Sequence, residues 1–276
     1  MTVCKKAYIS ADIEGVACIS APGETDMAKP DYGLFREQMT AEVQAACAGA
    51  FDGGVESILV KDAHWTGRNI DPRAVLVPEG RSLQLMRGWS GHPFSMVEGI
   101  DSSFDVVAFI GYHSAASRAG NPLSHTVNGR LFSRVELNGT CASEFYLFAL
   151  AAATVGVPVV FISGDKTLCQ EAEALIEGVT TVATIEGCGP SVRSILPSEA
   201  VRRIRERVHH AVTSTLPKPL PLPSEYVFKV EFTLPSHAYV RSFYPGVKQI
   251  SDRELQLETR NYRDVLTFLK IASQMA

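Results

Sequence analysis

Four side chains of types that commonly bind metal ions lie at the ends of predicted strands. Asp12 and Glu14 come at the end of a buried strand, His64 follows a second strand, and His113 follows a third. In extended backbone the side chains at positions i and i+2 point to the same side, so both carboxylates can face one point. In open parallel sheets, ligands collect outside the carboxyl ends of the strands. The spacing therefore predicts that two carboxylates and two imidazoles meet at one sheet edge.

Carboxylate oxygens and imidazole nitrogens together suit Zn²⁺ and similar divalent ions. Carboxylates can also bridge two ions roughly 3.5–4 Å apart, an arrangement that activates a water molecule for hydrolysis. Each residue alone has a simpler explanation, because Asp12 and Glu14 are common turn or cap residues and a lone histidine often hydrogen-bonds within a loop. It is the combination that favours a metal-dependent hydrolase.

Two further residues, His125 and Glu144, carry suitable chemistry but have equally good structural explanations. His125 is a candidate general acid or base, or an anchor for a tetrahedral intermediate, and it is equally compatible with a loop histidine bonded to backbone. Glu144 lies early in a predicted helix, where a carboxylate also suits the helix dipole and a capping role. Asp62 and Asp165 are candidate partners for ligating histidines, although Asp165 is equally suited to cap the helix that follows it.

Alternating strand and helix patterns predict an α/β fold with a mainly parallel central sheet flanked by helices and a smaller C-terminal α+β portion. A hairpin is predicted over 127–137, around Asn128-Gly129. Four prolines at alternate positions predict an extended linker over 216–223. We therefore predict a metal-binding catalytic domain over 1–215, followed over 216–276 by the linker and the α+β portion, with packing into one domain as the alternative. The other predicted elements are strands over 7–12, 56–61, 105–111, 158–163, 226–234 and 255–259, and helices over 32–51, 141–154, 166–176, 197–213 and 262–275.

Composition argues against several classes of protein. The net charge is −4 and the sequence pI is about 6.0, so we expect no nucleic-acid partner. We expect no membrane association, because no apolar run approaches the roughly 20 residues of a spanning helix. The first residues lack the apolar region of a signal peptide, which favours a cytoplasmic protein. Zincin, serine-hydrolase, P-loop and dinucleotide-binding motifs are absent.

The sequence resembles the D-aminopeptidase family, the M55 metallopeptidases of the dipeptide-transport-operon type. The resemblance extends over nearly the whole chain in the right order. The matching segments are Ser10-Ala11-Asp12-Ile13-Glu14-Gly15, Lys61-Asp62-Ala63-His64, Phe94-Ser95-Met96-Val97-Glu98-Gly99, Phe109-Ile110-Gly111-Tyr112-His113, Ser124-His125-Thr126, Glu144, Ser163-Gly164-Asp165, Glu171-Ala172-Glu173 and Tyr244-Pro245-Gly246.

The resemblance implies a binuclear zinc site, with two Zn²⁺ per chain, that removes N-terminal D-amino acids from short peptides or amides. It also implies a homo-oligomeric ring with sheltered active sites, for which a decamer is one candidate size. It places the catalytic histidine on His125. The zinc ligands that it implies are Asp12 as the bridge, Glu14, His64, His113 and Glu144.

The chain departs from the family pattern beside Glu144. Ser143 replaces the usual glycine, bulky residues from Phe145 to Phe148 follow, and the segment between His125 and Glu144 is one residue longer. These changes leave the metal ligands intact and put substrate preference in question. Two alternatives therefore stay open: a binuclear metal amidase acting on a non-peptide substrate, and a non-catalytic metal- or peptide-binding relative.

Overall fold

Two sheets organise the chain, as seen in a computed structural model that describes residues 4–274. The strands in chain order are β1 (Lys6–Ala11), β2 (Ser57–Asp62), β3 (Ser82–Met86), β4 (Val106–Tyr112), β5 (Phe132–Leu137), β6 (Thr140–Cys141), β7 (Val159–Asp165), β8 (Thr180–Cys188), β9 (Ser191–Ser194), β10 (Tyr226–Phe232), β11 (Val247–Gln249) and β12 (Glu254–Thr259). The helices are α1 (Tyr32–Asp52), α2 (Glu144–Thr154), α3 (Lys166–Leu175), α4 (Pro197–Thr213), α5 (Pro235–Arg241) and α6 (Tyr262–Ala272).

The larger sheet has the order β3-β2-β1-β4-β7-β8-β9 and is parallel except for β9. All residues of β4 and β7 are buried, as expected for central parallel strands that are covered on both faces. Side chains of α1 and α4 cover one face, and those of α2 and α3 cover the other. Because β1 lies between β2 and β4, the residues that follow these three strands meet at one edge. The predicted α/β fold class is confirmed.

The smaller sheet joins distant parts of the sequence. Its order is β11-β12-β10-β5-β6, and all its pairings are antiparallel. Strands β5 and β6 precede the predicted division at 215/216, whereas β10, β11 and β12 follow it. Residues 216–223 form no helix or strand, and Leu220 within them is buried in the core. The division stays a proposal, and the shared sheet favours its alternative, in which the C-terminal portion packs into one domain.

The predicted hairpin around Asn128-Gly129 is wrong. The hairpin instead joins β5 to β6 through Asn138 and Gly139, which have φ values of 50° and 78°. Positive φ at both turn residues is the geometry that a two-residue loop needs to match strand twist, and Asn-Gly provides it. Both Asn-Gly pairs carry the same local signal, but only the second lies between strands that pair with each other. Asn128 and Gly129 lie in the loop that leads into β5.

Within residues 4–274, no helix combines the length and the apolar character needed to cross a membrane.

Candidate metal centre

The turn after β1 packs directly against the end of β4. The Gly15 amide donates a hydrogen bond to the Gly111 carbonyl at 2.8 Å. A Cβ atom on Gly15 would lie 1.8 Å from the carbonyl oxygen of Tyr112, and one on Gly111 would lie 2.4 Å from that of Asp12. Gly111 also has a φ of 70°, which favours glycine. These two glycines therefore allow the backbone contact that places Asp12 and Glu14 beside His113.

Asp12, Glu14 and His64 form the first of two buried groups, here called the first triad. The His64 Nδ1 atom lies 3.2 Å from Asp12 Oδ1 and 3.1 Å from Glu14 Oε2. The opposite ring nitrogen, Nε2, lies 2.9 Å from the carbonyl oxygen of Thr25 and donates to it. Nδ1 in neutral His64 is therefore left with a lone pair that faces two carboxylate oxygens.

His113, His125 and Glu144 form the second triad. Glu144 Oε2 lies 3.5 Å from His113 Nε2, and Glu144 Oε1 lies 3.6 Å from His125 Nε2. The Nδ1 atoms of His113 and His125 donate to the carbonyls of Ser114 and Leu123 at 3.0 and 2.9 Å. Both imidazoles therefore turn Nε2 toward Glu144, and their rings stack with centroids 4.3 Å apart.

Asp12 connects the two triads. Its Oδ1 atom faces His64, and its Oδ2 atom lies 3.5 Å from His113 Nε2. A carboxylate that presents one oxygen to each of two groups of ligands has the arrangement of a bridging ligand in a two-metal site.

The buried carboxylates of the two triads require positive charge beside them. Burial, reinforced by the neighbouring Glu14 charge, raises the pKa of Asp12 to about 6. Burial alone would lower the pKa of His64 and His113, but the adjacent carboxylates outweigh it and hold both pKa values well above their usual range. Three buried carboxylates attract cations strongly, and either protons on the imidazoles or metal ions can supply the charge.

The ligand atoms fit metal ions better than protons alone. Glu14 Oε2 and His113 Nε2 are buried atoms without a hydrogen-bond partner among the described residues. Unpartnered buried polar atoms are costly and rare, and a coordinated cation would satisfy both. Carboxylate oxygens and imidazole nitrogens are also the donors that zinc accepts in proteins. The residues present therefore fit two divalent ions.

Comparison with known proteins agrees with this chemistry. The peptidase M55 family model, described as D-aminopeptidase, matches residues 5–271. The chain belongs to the M55 family of D-aminopeptidases. A D-aminopeptidase from Bacillus subtilis (strain 168) is 30% identical over an alignment of 276 positions, which covers 98% of this chain and 97% of that protein. The prediction of an M55 metallopeptidase is confirmed.

A solved structure of an M55 enzyme has the same fold. It is the Zn-dependent D-aminopeptidase DppA from Bacillus subtilis, described as a self-compartmentalizing protease. It superimposes with a TM-score of 0.89 at 29% sequence identity, over 97% of this chain and 96% of that chain.

The departures from the M55 pattern beside Glu144 affect the helix rather than the cavity. Ser143 caps α2 by accepting a hydrogen bond from the Tyr146 amide at 3.0 Å, and its hydroxyl donates to Glu171 at 2.7 Å. Phe145 is buried with its ring edge-on to Phe109 at 5.4 Å. Neither Phe145 nor Tyr146 lines the cavity beside the triads, so these bulky residues pack the helix.

The two aspartates proposed as partners of ligating histidines contact neighbouring loops instead of the imidazole rings. Asp165 caps α3 by accepting from the Leu168 amide at 2.9 Å, as one alternative predicted, and it also accepts from the amide and hydroxyl of Ser114. Asp62 accepts from two amides of the loop that follows His64, those of Asn69 and Ile70. Both therefore fix the loops that carry ligands rather than the imidazole rings.

Sequence reasoning missed the rest of the cavity. It has a volume of about 670 Å³, and its lining includes five triad residues: Asp12, Glu14, His64, His125 and Glu144. Trp65, Trp89 and Lys270 also line it, together with Arg130 and Ser273. They come from separate parts of the chain, and no motif among them joins them. The only signal was that the chain has just two tryptophans, and both lie here.

Proposed function

We propose that this chain is a zinc-dependent aminopeptidase that removes N-terminal D-amino acids from short peptides or amides. The observation that carries the proposal is the position of Asp12, which offers one carboxylate oxygen to each of two buried groups of ligands. Membership of the M55 family and the zinc dependence of the related DppA support the choice of reaction and metal.

We assign five residues to the binding of two zinc ions per chain. Asp12, Glu14 and His64 would hold one ion, and Asp12, His113 and Glu144 would hold the other. Two divalent ions outweigh the charge of three carboxylates, which leaves the centre able to hold an anionic nucleophile. Bound zinc would supply Lewis acidity and lower the pKa of a water molecule toward neutrality.

We assign the catalytic role to His125. Its side chain is 26% exposed, whereas those of His64 and His113 are nearly inaccessible, so it reaches the space where substrate would lie. Its Nδ1–H is held by the Leu123 carbonyl, which leaves Nε2 directed toward Glu144. In this position Nε2 can stabilise the tetrahedral oxyanion when protonated, or pass a proton to the leaving amine.

Metal analysis and a substrate panel test the proposal together. We expect about two zinc ions per chain, and faster release of D- than of L-amino acids from matched peptides and amides. Cleavage of non-peptide amides alone would instead identify the amidase alternative. Bound metal without turnover of any substrate would identify the non-catalytic alternative, and protein that binds no metal would refute the whole assignment.

The same proposal includes a homo-oligomer. Leu234, Tyr239, Val240 and Phe243, here called the α5 patch, are between 51 and 71% exposed. Exposed apolar side chains that lie together commonly mark protein interfaces. Arg241, at the end of the same helix, donates to the carbonyls on either side of Ser273, which lines the cavity. A second copy bound to the α5 patch would therefore sit near the cavity and help to shelter it, in keeping with the self-compartmentalizing DppA.

We retain the cytoplasmic location as part of the proposal. All six cysteines lie in the described part of the chain and are unpaired, which fits a reducing compartment.

A further inference from the structure

Acidic and basic side chains line the same cavity. The triads contribute three carboxylates, and Asp26 is a further acidic lining residue. The cations among the lining residues, apart from the imidazoles, are Lys270 and Arg130. Neither forms an ion pair with any residue between 4 and 274 under a 4.0 Å limit. A cation without an ion pair among the described residues, in the same cavity as an acidic centre, suits a ligand that carries a negative charge away from its reacting end.

Lys270 is better suited than Arg130 to bind such a charge. Arg130 is exposed, so water competes strongly for its guanidinium group. Lys270 is half-buried at the end of α6, and burial lowers its pKa. A partly desolvated ammonium group gains more from an anionic partner than a fully hydrated one does.

Lys270 lies beside the Trp89 ring, close to a second lysine. The Lys270 Nζ atom lies 5.1 Å from the centroid of the Trp89 ring, and the Nζ atom of buried Lys61 lies 4.2 Å from it. Lys61 also donates to the Gly88 carbonyl, and Trp89 Nε1 donates to the Trp65 carbonyl at 2.6 Å. Of the carboxylates, Glu98 influences both lysines most directly, yet it forms an ion pair with neither of them. Asp62 also acts on Lys61, whereas Glu98 is the carboxylate that acts on Lys270, and it lies too far from it for an ion pair.

A short chain of contacts links this wall to the second triad. The Val127 amide donates to Glu144 Oε1 at 2.6 Å, and the adjacent Asn128 donates through its side chain to the Ser273 carbonyl at 2.9 Å. Ser273 lies one helical turn beyond Lys270. These contacts hold the C-terminal end of α6, which carries Lys270, beside the loop that contacts the second triad.

Resting on the proposed function, we propose that Lys270 binds the C-terminal carboxylate of a short peptide whose N-terminal residue lies at the metal centre. The favoured substrates are then free di- and tripeptides rather than amides or long peptides. The cavity volume of about 670 Å³ lies within the range of small-ligand sites. Lys270 is a specificity-determining residue in this scheme, because it contacts the end of the substrate that does not react.

The test compares two substrates that differ only at the C-terminus, D-alanyl-D-alanine and the same dipeptide with an amidated end. We expect the zinc-loaded wild-type protein to have a KM at least about 10-fold lower for the free acid, a difference of about 1.4 kcal/mol. Lys270→Met should remove that preference by raising KM for the free acid with little change in kcat. Lys270→Arg should retain most of it. Lys218→Met, which changes an exposed lysine outside the cavity, should change neither constant.

A binding measurement separates this proposal from the proposed function. Tryptophan fluorescence should report peptide binding directly, because both tryptophans line the cavity. Tighter binding of the free acid that is lost in Lys270→Met would support the subsite even in a protein that hydrolyses neither peptide. Equal affinity of the wild-type protein for the two peptides would overturn it. An equal loss of affinity for both peptides in Lys270→Met would also overturn it, since a purely structural lysine in the last turn of α6 would produce that result.

Discussion

Glu42 is a buried carboxyl group whose ionisation should destabilise the fold at neutral and alkaline pH. It lies on α1, is fully inaccessible, and accepts from the Ala17 amide at 3.0 Å and from the Gln38 side chain at 3.0 Å. Its second oxygen has no partner among the described residues. Burial raises the pKa of Glu42 from 4.5 to about 7. Replacing Glu42 by Gln should therefore stabilise the protein in a pH-dependent way.

The sign and the size of the change in stability follow from the raised pKa of Glu42. Below about pH 4.5 the carboxyl is protonated in both the folded and the unfolded states, so Glu42→Gln changes little. Between about pH 4.5 and 7 the unfolded chain loses the proton first, so wild-type stability falls as pH rises. Above about pH 7 the full cost remains, about 3.5 kcal/mol at 1.4 kcal/mol per pH unit. With an unfolding entropy of about 2.1 cal/mol/K per residue over 276 residues, this corresponds to roughly 6 °C in Tm.

Thermal unfolding at about pH 8 and pH 5, with the same metal content in both proteins, measures the effect. We expect Glu42→Gln to raise Tm by roughly 6 °C at the higher pH and by much less at the lower. Glu37→Gln, which changes an exposed carboxylate on the same helix, serves as the control and should alter stability by less than about 0.5 kcal/mol. An equal gain at both pH values, or a loss at both, would show that the charge of buried Glu42 does not limit stability.

Four further substitutions test the centre and the assembly. His125→Ala should keep both metal ions and lose about 10²–10⁴-fold in kcat; wild-type turnover would rule out its catalytic role. Asp12→Asn should bind less than two zinc ions per chain, as measured by elemental analysis, and full occupancy would contradict the bridge. Gly15→Ala should be strongly destabilised in thermal unfolding, because its Cβ atom would meet the Tyr112 carbonyl at 1.8 Å; an unchanged Tm would mean that the turn can shift freely. Phe243→Glu should yield smaller particles in light scattering, whereas particles of wild-type size would remove the α5 patch from the interface.

Local patterns predicted the elements that form the sheet edge, because each depends on signals close in sequence. The buried runs of β1 and β4 and the periodicity of α4 are visible without any knowledge of their partners. Strand β8 was missed, and so were the short strands β3, β6, β9 and β11 and the two-turn helix α5. The Asn-Gly signal chose the wrong turn, because nothing near Asn128 shows that β5 pairs with β6 and β10.

The residues of the candidate site also differ in whether local sequence signals predicted them. The spacing of Asp12, Glu14, His64 and His113 indicated a shared location, since all four follow strands that are neighbours in the sheet. Glu144 needed a family resemblance, because it begins a helix and reaches the cluster only through tertiary packing. Lys270 was not predicted, because its relation to the cavity depends on how α6 packs beside the loop of Asn128.

The pairing of β5 with β10 affects when the chain can become active during its translation. Val135 lies opposite Val230, almost a hundred residues later, and Glu144 begins the helix that follows β5 and β6. A lone two-stranded hairpin is marginally stable in water, so β5 and β6 gain a firm neighbour only when β10 has left the ribosome. We therefore expect the nascent chain to stay inactive until its last segments emerge, and the order of translation itself then delays peptide cleavage until folding is nearly complete.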